Sequence, residues 1–367
     1  MRTAWPGIFA SAQPAVVFEP DSLVGFTLYD ESTYGAHALY PFMGGFGFGT
    51  RYARGGANAF WGETGSFKAD GTAFAFGYNG TPRYRIYPFN QETGIGTAYA
   101  QAATPPEGYV VVPRWSSAAT RIVMGHNTSP RLSAYVWDNT TGIGTKAAAP
   151  TVPGSTVYGF GFDSGNANVL CNTAASTLTA ALYACAWSGT ALGTKRADAA
   201  APAGNTYWTG DVLKKDGTTT YVYPMQNADP RLGAIPFASN AWGAHYAAPS
   251  TIPNPSNKAL PREDGAFIGL YANRTTDNRG QVYAWSDGFG VRLADPNPGG
   301  WNDANNPANG GGLRWTPDGG HVVIAGAVGD TGAWVFADNT WGVRLAGPAE
   351  DPPSFSAPFF DMIPWAA

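Results

Sequence analysis

One three-residue signature, a bulky apolar residue, then Gly, then a small or branched residue, recurs through this chain at a nearly constant interval. It reads Phe48-Gly49-Thr50, Ile95-Gly96-Thr97, Ile143-Gly144-Thr145, Leu192-Gly193-Thr194, Trp242-Gly243-Ala244, Phe289-Gly290-Val291 and Trp341-Gly342-Val343. Successive glycines lie 47, 48, 49, 50, 47 and 52 residues apart. A chain that repeats itself at such a period folds as copies of one supersecondary unit that cannot bury its apolar face alone. An aromatic residue precedes each glycine by five to seven positions: Phe42, Phe89, Trp137, Trp187, Phe237, Trp285 and Phe336.

Upstream of each aromatic lies a turn signal. Asp70-Gly71, Asp216-Gly217, Asp264-Gly265 and Asp318-Gly319 carry it in full, and Asp21-Ser22, Ser117-Ala118 and Ser164-Gly165 in weaker form. Asp-Gly between apolar runs predicts a type I′ hairpin, with positive φ at both central residues. Between these marks the sequence reads as four short strands per unit, the fourth running into a Pro-rich crossover. Four antiparallel strands in a unit of this length make a propeller blade. The prediction is therefore all-β: a seven-bladed β-propeller of four-stranded antiparallel blades over residues 15–367, after an N-terminal segment 1–14. Both Val16 to Glu19 and Pro358 to Trp365 read as the first strand of blade one. The apolar content of the C-terminal segment predicts that it takes the closing position beside the N-terminal strands.

Composition agrees with this reading. Only 13% of residues are charged, against roughly 25% in an average soluble domain. With 48 Gly and 29 Pro alongside 20 Phe, 13 Trp and 18 Tyr, the chain has the makeup of short strands and tight turns. A net charge of −4 with dispersed Lys and Arg argues against a nucleic-acid partner, which calls for a basic stripe. No apolar run reaches the length of a membrane span. Pro6 and Gly7 break the N-terminal apolar patch, which argues against a cleaved signal peptide. Cys171 and Cys185 fall on facing strands of one hairpin, either as a cross-strand bridge or as two buried thiols.

The repeat texture, with Gly142-Ile143-Gly144-Thr145-Lys146 after Val136-Trp137-Asp138 as its cleanest copy, resembles that of WD-repeat propellers. More closely it resembles the propeller proteins of tailed-bacteriophage virions that repeat a Gly-x-Gly-Thr-Lys unit, over roughly residues 15 to 365. Gly125-His126 stands only about a dozen residues before Trp137-Asp138, so the buried His–Asp network of WD-repeats is not carried over. The resemblance implies a non-enzymatic structural or interaction module on a phage capsid or tail. Its location would be the virion, assembled in the host cytoplasm. Its partners would be other virion proteins or a host-surface receptor or glycan, with self-association in such an assembly. A glycan-binding propeller is the second reading and a channel-sited hydrolase the third.

Candidate site residues are few. Arg83, Arg131 and Arg231 end the echoes Asn79-Gly80-Thr81-Pro82-Arg83, Asn127-Thr128-Ser129-Pro130-Arg131 and Asn227-Ala228-Asp229-Pro230-Arg231. All three fall in the loop between strands two and three, where Asn and Pro suit the turn but Arg is not required. They read either as a shared contact site, since Arg grips carboxylates and phosphates, or as local packing. Trp61 and Trp301 stand outside the strand pattern in Gly- and Asn-rich stretches and are the candidate aromatic contacts. Two residues after the signature glycine a basic residue recurs, at Arg51, Lys146, Lys195, His245, Arg292 and Arg344. On an outer strand it guards an open sheet edge or forms an anion-attracting ring. His37, His126, His245 and His321 share no place in the repeat, so no zinc site is expected. No Gly-x-Ser-x-Gly elbow occurs, and neither a catalytic residue nor a cofactor is assigned.

Overall fold

The structure is a computed structural model that describes residues 21–27, 37–52, 62–78, 80–150, 152, 156–173, 182–197, 207–216, 218–226, 233–247, 256–262, 264–272, 280–286, 288–293, 312–325, 332–345, 347 and 360–364. Among these residues the secondary structure is β throughout, in seven antiparallel sheets. They are called blades one to seven in chain order. Blade three shows the pattern, with Val110–Trp115, Arg121–His126, Leu132–Asp138 and Gly142–Ala147 pairing in sequence. In blade five the outer position is shared by two short strands, Ala241–Trp242 and Tyr246–Ala247, both paired with Gly233–Ala238.

The first strand of each blade packs against the first strand of the next. Gly62–Phe67 meets Val110–Trp115, and the series runs on through Val157–Phe162, Tyr207–Asp216, Ser256–Pro261 and Gly312–Trp315. Phe360–Pro364 touches both Gly312–Trp315 and Gly62–Phe67, so the ring closes. The molecule is a propeller of four-stranded antiparallel blades. In blade one the C-terminal strand takes the inner place, Ser22 pairing with Pro364 and Phe26 with Phe360. The other candidate for that place, Val16 to Glu19, lies outside the described residues.

Apolar burial follows the ring. One cluster joins Ala73, Tyr84 and Ile86 of blade two to Val110, Trp115 and Trp137 of blade three. Another joins Leu170 and Leu182 of blade four to Val222, Ile235 and Phe237 of blade five. The core is thus a series of layers between neighbouring sheets, which is why strands here are apolar on both faces; Ala73–Tyr78 is buried at every position. The seven aromatics that precede the signature all sit in these layers, none more than 6% exposed. Polar ties cross the seams as well. Trp115 Nε1 donates to Ser66 O at 3.3 Å and Trp315 Nε1 to Leu260 O at 3.1 Å, in both cases on the inner strand of the preceding blade. Tyr52 and Tyr99, three residues after their signature glycines, reach over the rim to Gln91 O and Asn139 O in the next blade.

The signature glycine has a local cause. Between strands three and four the register slips just before the aromatic, at Tyr135/Trp137, Cys185/Trp187, Tyr283/Trp285 and Trp334/Phe336. In blades with and without this bulge the glycine lies against the residue that precedes the aromatic. A Cβ on Gly49, Gly96 or Gly243 would lie 2.7–2.8 Å from the Cγ of Pro41, Pro88 or Pro236. On Gly144 it would meet Val136 Cβ at an ordinary 3.4 Å.

The Asp-Gly turns differ from the type I′ geometry expected of them. In Lys68–Gly71, Ser116–Ala119, Asp163–Asn166, Arg262–Gly265 and Thr316–Gly319 the last N–H returns to the first C=O at 2.8–3.0 Å. Among the described residues of these turns only the last has positive φ, from 50° to 73°, and Gly217 of the Asp216-Gly217 pair lies outside the described residues. Asp is there because its carboxylate accepts the N–H two residues on: Thr72 at 3.0 Å, Ala266 at 2.9 Å and Gly320 at 3.0 Å. Paired positive-φ residues occur in the other hairpin, at Ser239-Asn240 and Asp338-Asn339, as a two-residue type I′ loop requires.

Two outcomes follow from this packing. Removing residues 358–367 strips the inner strand from blade one, a loss of about 5 kcal/mol if each of its paired residues contributes about 1 kcal/mol. The melting temperature should then fall by roughly 10 °C or more at about 2 °C per kcal/mol; a truncated chain that melts with the full one shows the strand to be dispensable. Gly96→Ala should cost about 1–3 kcal/mol through overpacking on the Pro88 ring, whereas Gly144→Ala should be within about 0.5 kcal/mol of neutral. Urea midpoints of the two variants make the comparison.

Candidate functional site

The meander topology separates two faces. One carries the tight turns between strands one and two and between strands three and four. The other carries the loops between strands two and three and the crossovers to the next blade. Arg83 and Arg131 lie on this second face in equivalent places, each immediately before a third strand, and its C=O accepts from the end of the second: Arg83 O from Tyr78 N and Arg131 O from His126 N, both at 2.9 Å. Each guanidinium then reaches the crossover that leaves its own blade. Arg83 Nη1 donates to Pro106 O, and Arg131 Nη1 donates to Val152 O at 2.7 Å. The geometry is that of two intramolecular clamps, and Arg is needed because it spans the gap with a donor the crossover carbonyl lacks. Arg231, Trp61 and Trp301 lie outside the described residues.

The recurring basic residues meet strand three directly. Lys146 stands opposite Tyr135, Arg292 opposite Tyr283 and Arg344 opposite Trp334. Arg344 lies 5.4 Å over the Trp334 ring and Lys195 5.8 Å over Tyr183, as cations do over aromatic faces. Lys146 departs from this pattern, because it is ion-paired with Glu107 of the incoming crossover.

Around that pair lies a polar cluster between blades two and three. The crossover is held by Tyr84 Oη, which accepts from Ala102 N at 2.7 Å, by Tyr135 Oη, which donates to Thr104 O at 3.1 Å, by Arg83 and by Lys146. His126 sits beneath it, fully buried, with Nε2 2.9 Å from Ser133 Oγ and 3.9 Å from a Glu107 oxygen. A cleft of about 640 Å³ opens beside Lys146, lined by Thr104, Pro130 and the residues from Ile143 to Ala149 along the outer strand and just beyond it.

Ser, His and Glu so assembled invite comparison with a hydrolytic triad, and the geometry rejects it. The carboxylate approaches the same ring nitrogen that Ser133 uses, whereas a triad places the acid on the other one. Ser133 is fully buried, so no substrate carbonyl can reach its Oγ. The cluster holds two blades together. Glu107 and Ser133 escaped the sequence reading because neither stands at a recurring position; only the Arg echo pointed to this seam.

Burial pushes His126 down to about 4, with Glu107 opposing the shift. A histidine held neutral in the fold binds fewer protons than its unfolded counterpart between pH 6.5 and about 4. Its contribution is therefore present above pH 6.5 and is lost as pH falls through that window. The full loss amounts to about 3 kcal/mol. Urea unfolding at pH 7.5, 6, 5 and 4.5 should show this slope, and His126→Gln should flatten it; an unaltered slope assigns the acid sensitivity to other groups.

Cys171 and Cys185 are free, buried thiols. Their registers are offset, Cys171 pairing with Tyr183 and Cys185 with Val169. Burial pushes Cys185 up to about 12, so neither supplies a thiolate nucleophile. Among the described residues no group of three or more His, Cys, Asp or Glu side chains could hold a metal ion. No helix of the described residues is long and apolar enough to cross a membrane.

The inner strands, which surround the axis, carry charged residues at Glu63, Arg114, Asp211, Lys258, Arg314 and Asp361. Arg114 and Arg314 occupy the same register position in blades three and seven, pairing with Val123 and Val323, and each precedes a seam tryptophan. Arg114 Nη1 donates to Gly65 O on the inner strand of blade two at 2.9 Å.

No family model and no curated protein matches the chain. Solved structures do. An assigned 6-phosphogluconolactonase of Bacteroides uniformis superposes with a TM-score of 0.66 at 11% identity, over 94% of this chain and 100% of that one. A second, from Bacteroides fragilis, gives a TM-score of 0.67 at 11% identity over 96% and 100%. The periplasmic gluconolactonase of Pseudomonas aeruginosa gives a TM-score of 0.61 at 12% identity over 91% and 97%. At such identity the likeness establishes the fold. It also corrects the expectation of a non-enzymatic virion module, because chains of this whole architecture bear the names of lactonases. Repeat texture and low charge reflect how blades pack, and packing is indifferent to whether the disc carries catalysis.

Proposed function

We propose that this chain is a propeller hydrolase that opens a small cyclic ester, a lactone of a sugar acid, at its axial channel. The observation that carries this reading is the shared fold over more than nine-tenths of the chain with propellers named as lactonases. The inner strands support it. A lactone opens when water attacks the ring carbonyl, which calls for a base to take the proton and a donor or cation to hold the developing oxyanion. Carboxylates at Glu63, Asp211 and Asp361 and cations at Arg114, Lys258 and Arg314 bring both types to one ring of strands, in a chain where charge is scarce. Hydrolysis of this kind needs no redox cofactor.

The test is acid release from δ-gluconolactone and from its 6-phosphate near pH 6.5, measured against spontaneous opening. The expected result is saturable acceleration with at least one of the two. It should fall about ten-fold or more in Arg314→Ala or Asp211→Asn, as loss of an oxyanion donor or base does, with the melting temperature unchanged. Folded protein that accelerates neither lactone overturns the proposal, and so does binding without turnover.

A further inference from the structure

We propose that the seam between blades two and three carries an acid-operated latch, in which protonated His126 takes the Glu107 carboxylate away from Lys146 and frees the lysine to cover the outer edge of blade three. It stands apart from the channel chemistry proposed above. The starting state is on the page. Glu107 is shared unequally, ion-paired with Lys146 and 3.9 Å from His126 Nε2. The charged and titratable groups that face His126 are Glu107 from the crossover, Lys146 from the outer strand, Arg83 from the loop of blade two and Tyr135 from the third strand; Ser133 supplies its hydrogen bond. Both cations oppose a charge on the imidazole, and Glu107 is the charged neighbour that favours it. A proton from solvent on the vacant ring nitrogen therefore turns a weak contact into an attraction that competes for one carboxylate. Burial is the largest influence on how acid the medium must be, Lys146 and Arg83 add to it, and the protonation of His126 falls near 4.

The lysine matters because of where it leaves a gap. The corresponding basic side chains of blades four and seven lie over aromatic rings on their own blade. Lys146 is drawn to the crossover instead, and the edge strand beside it presents Gly144 and Thr145, both exposed, to the cleft. Long charged side chains are what keep such an edge from pairing with another strand. At neutral pH the latch holds this edge uncovered; in acid the released Lys146 guards it.

The experiment is NMR on the intact protein with labelled His and Lys, from pH 7 to 3.5. It follows the His126 ring and the hydrogen-bonded Lys146 Nζ signal. In the wild type the lysine signal should be lost with the midpoint at which His126 protonates. In Lys146→Met the His126 midpoint should rise by half a unit or more, because a competing cation is gone and Glu107 is free. In His126→Gln the ion pair should persist to lower pH, where Glu107 itself titrates. Because His126 is fully buried, Lys146→Met is the variant that decides if the glutamine form does not fold. A lysine signal that survives His126 protonation overturns the latch. An unmoved His126 midpoint in Lys146→Met does the same.

Discussion

Each sheet of this molecule has two apolar faces and one neighbour for each, so no blade can bury itself without the blades on either side. That constraint explains the layered core, in which every cluster straddles a seam. It also explains why the ring must close. An open array would leave the faces of blades one and seven in water, at a cost of roughly 25 cal/mol for each Å² exposed. Closure is achieved by a strand from the far end of the chain, Phe360–Pro364, which touches the inner strands of both neighbours. The ties at the seams act on the same surfaces, since an indole N–H that reaches the preceding blade fixes the height at which two sheets stack.

Within a blade the bulge between strands three and four plays the corresponding part. It shifts the register of the outer strand in blades three, four, six and seven, while in blades one, two and five the outer strand passes so close to its partner that only glycine fits against Pro41, Pro88 or Pro236. The recurring glycine, the aromatic before it and the basic residue after it are therefore three consequences of one geometry. The aromatic fills the seam. The basic residue emerges opposite the third strand, and in blades four and seven it lies over an aromatic ring. In blade three the same residue is taken up by Glu107, so the position is constant while its partner changes.

Among the described residues a polar cluster lies at the seam between blades two and three, and the inner strands carry charged positions. His126 and Ser133 at one seam are hydrogen-bonded to each other and fully buried, so although adjacent they lack the access that catalysis requires. Charged residues on the inner strands come from several blades, so positions far apart in sequence share one ring of strands. A fold assembled this way can host hydrolysis without any local motif, because a base and an oxyanion donor can come from different repeats.

The period of the signature, the four strands of each unit and the place of the turns were legible in the sequence because each depends on contacts within one blade. Turn type was misread at Asp70-Gly71 and its equivalents, since Asp-Gly serves both a type I′ loop and a turn that ends in a single left-handed glycine; the pair does not say which residue closes the hydrogen bond. The Arg echo was visible at Arg83 and Arg131, but its two readings could be separated only by the acceptors at Pro106 and Val152. Likewise, nothing in the neighbourhood of Glu107 in the sequence announces Lys146 or His126. By itself the sequence determined a ring of repeated β units with an aromatic layer at every seam. The tertiary structure decided which terminal segment closes the ring, which side chains meet across the seams and which residues share the axis, because those contacts join positions whose separation along the chain carries no information about their distance in space.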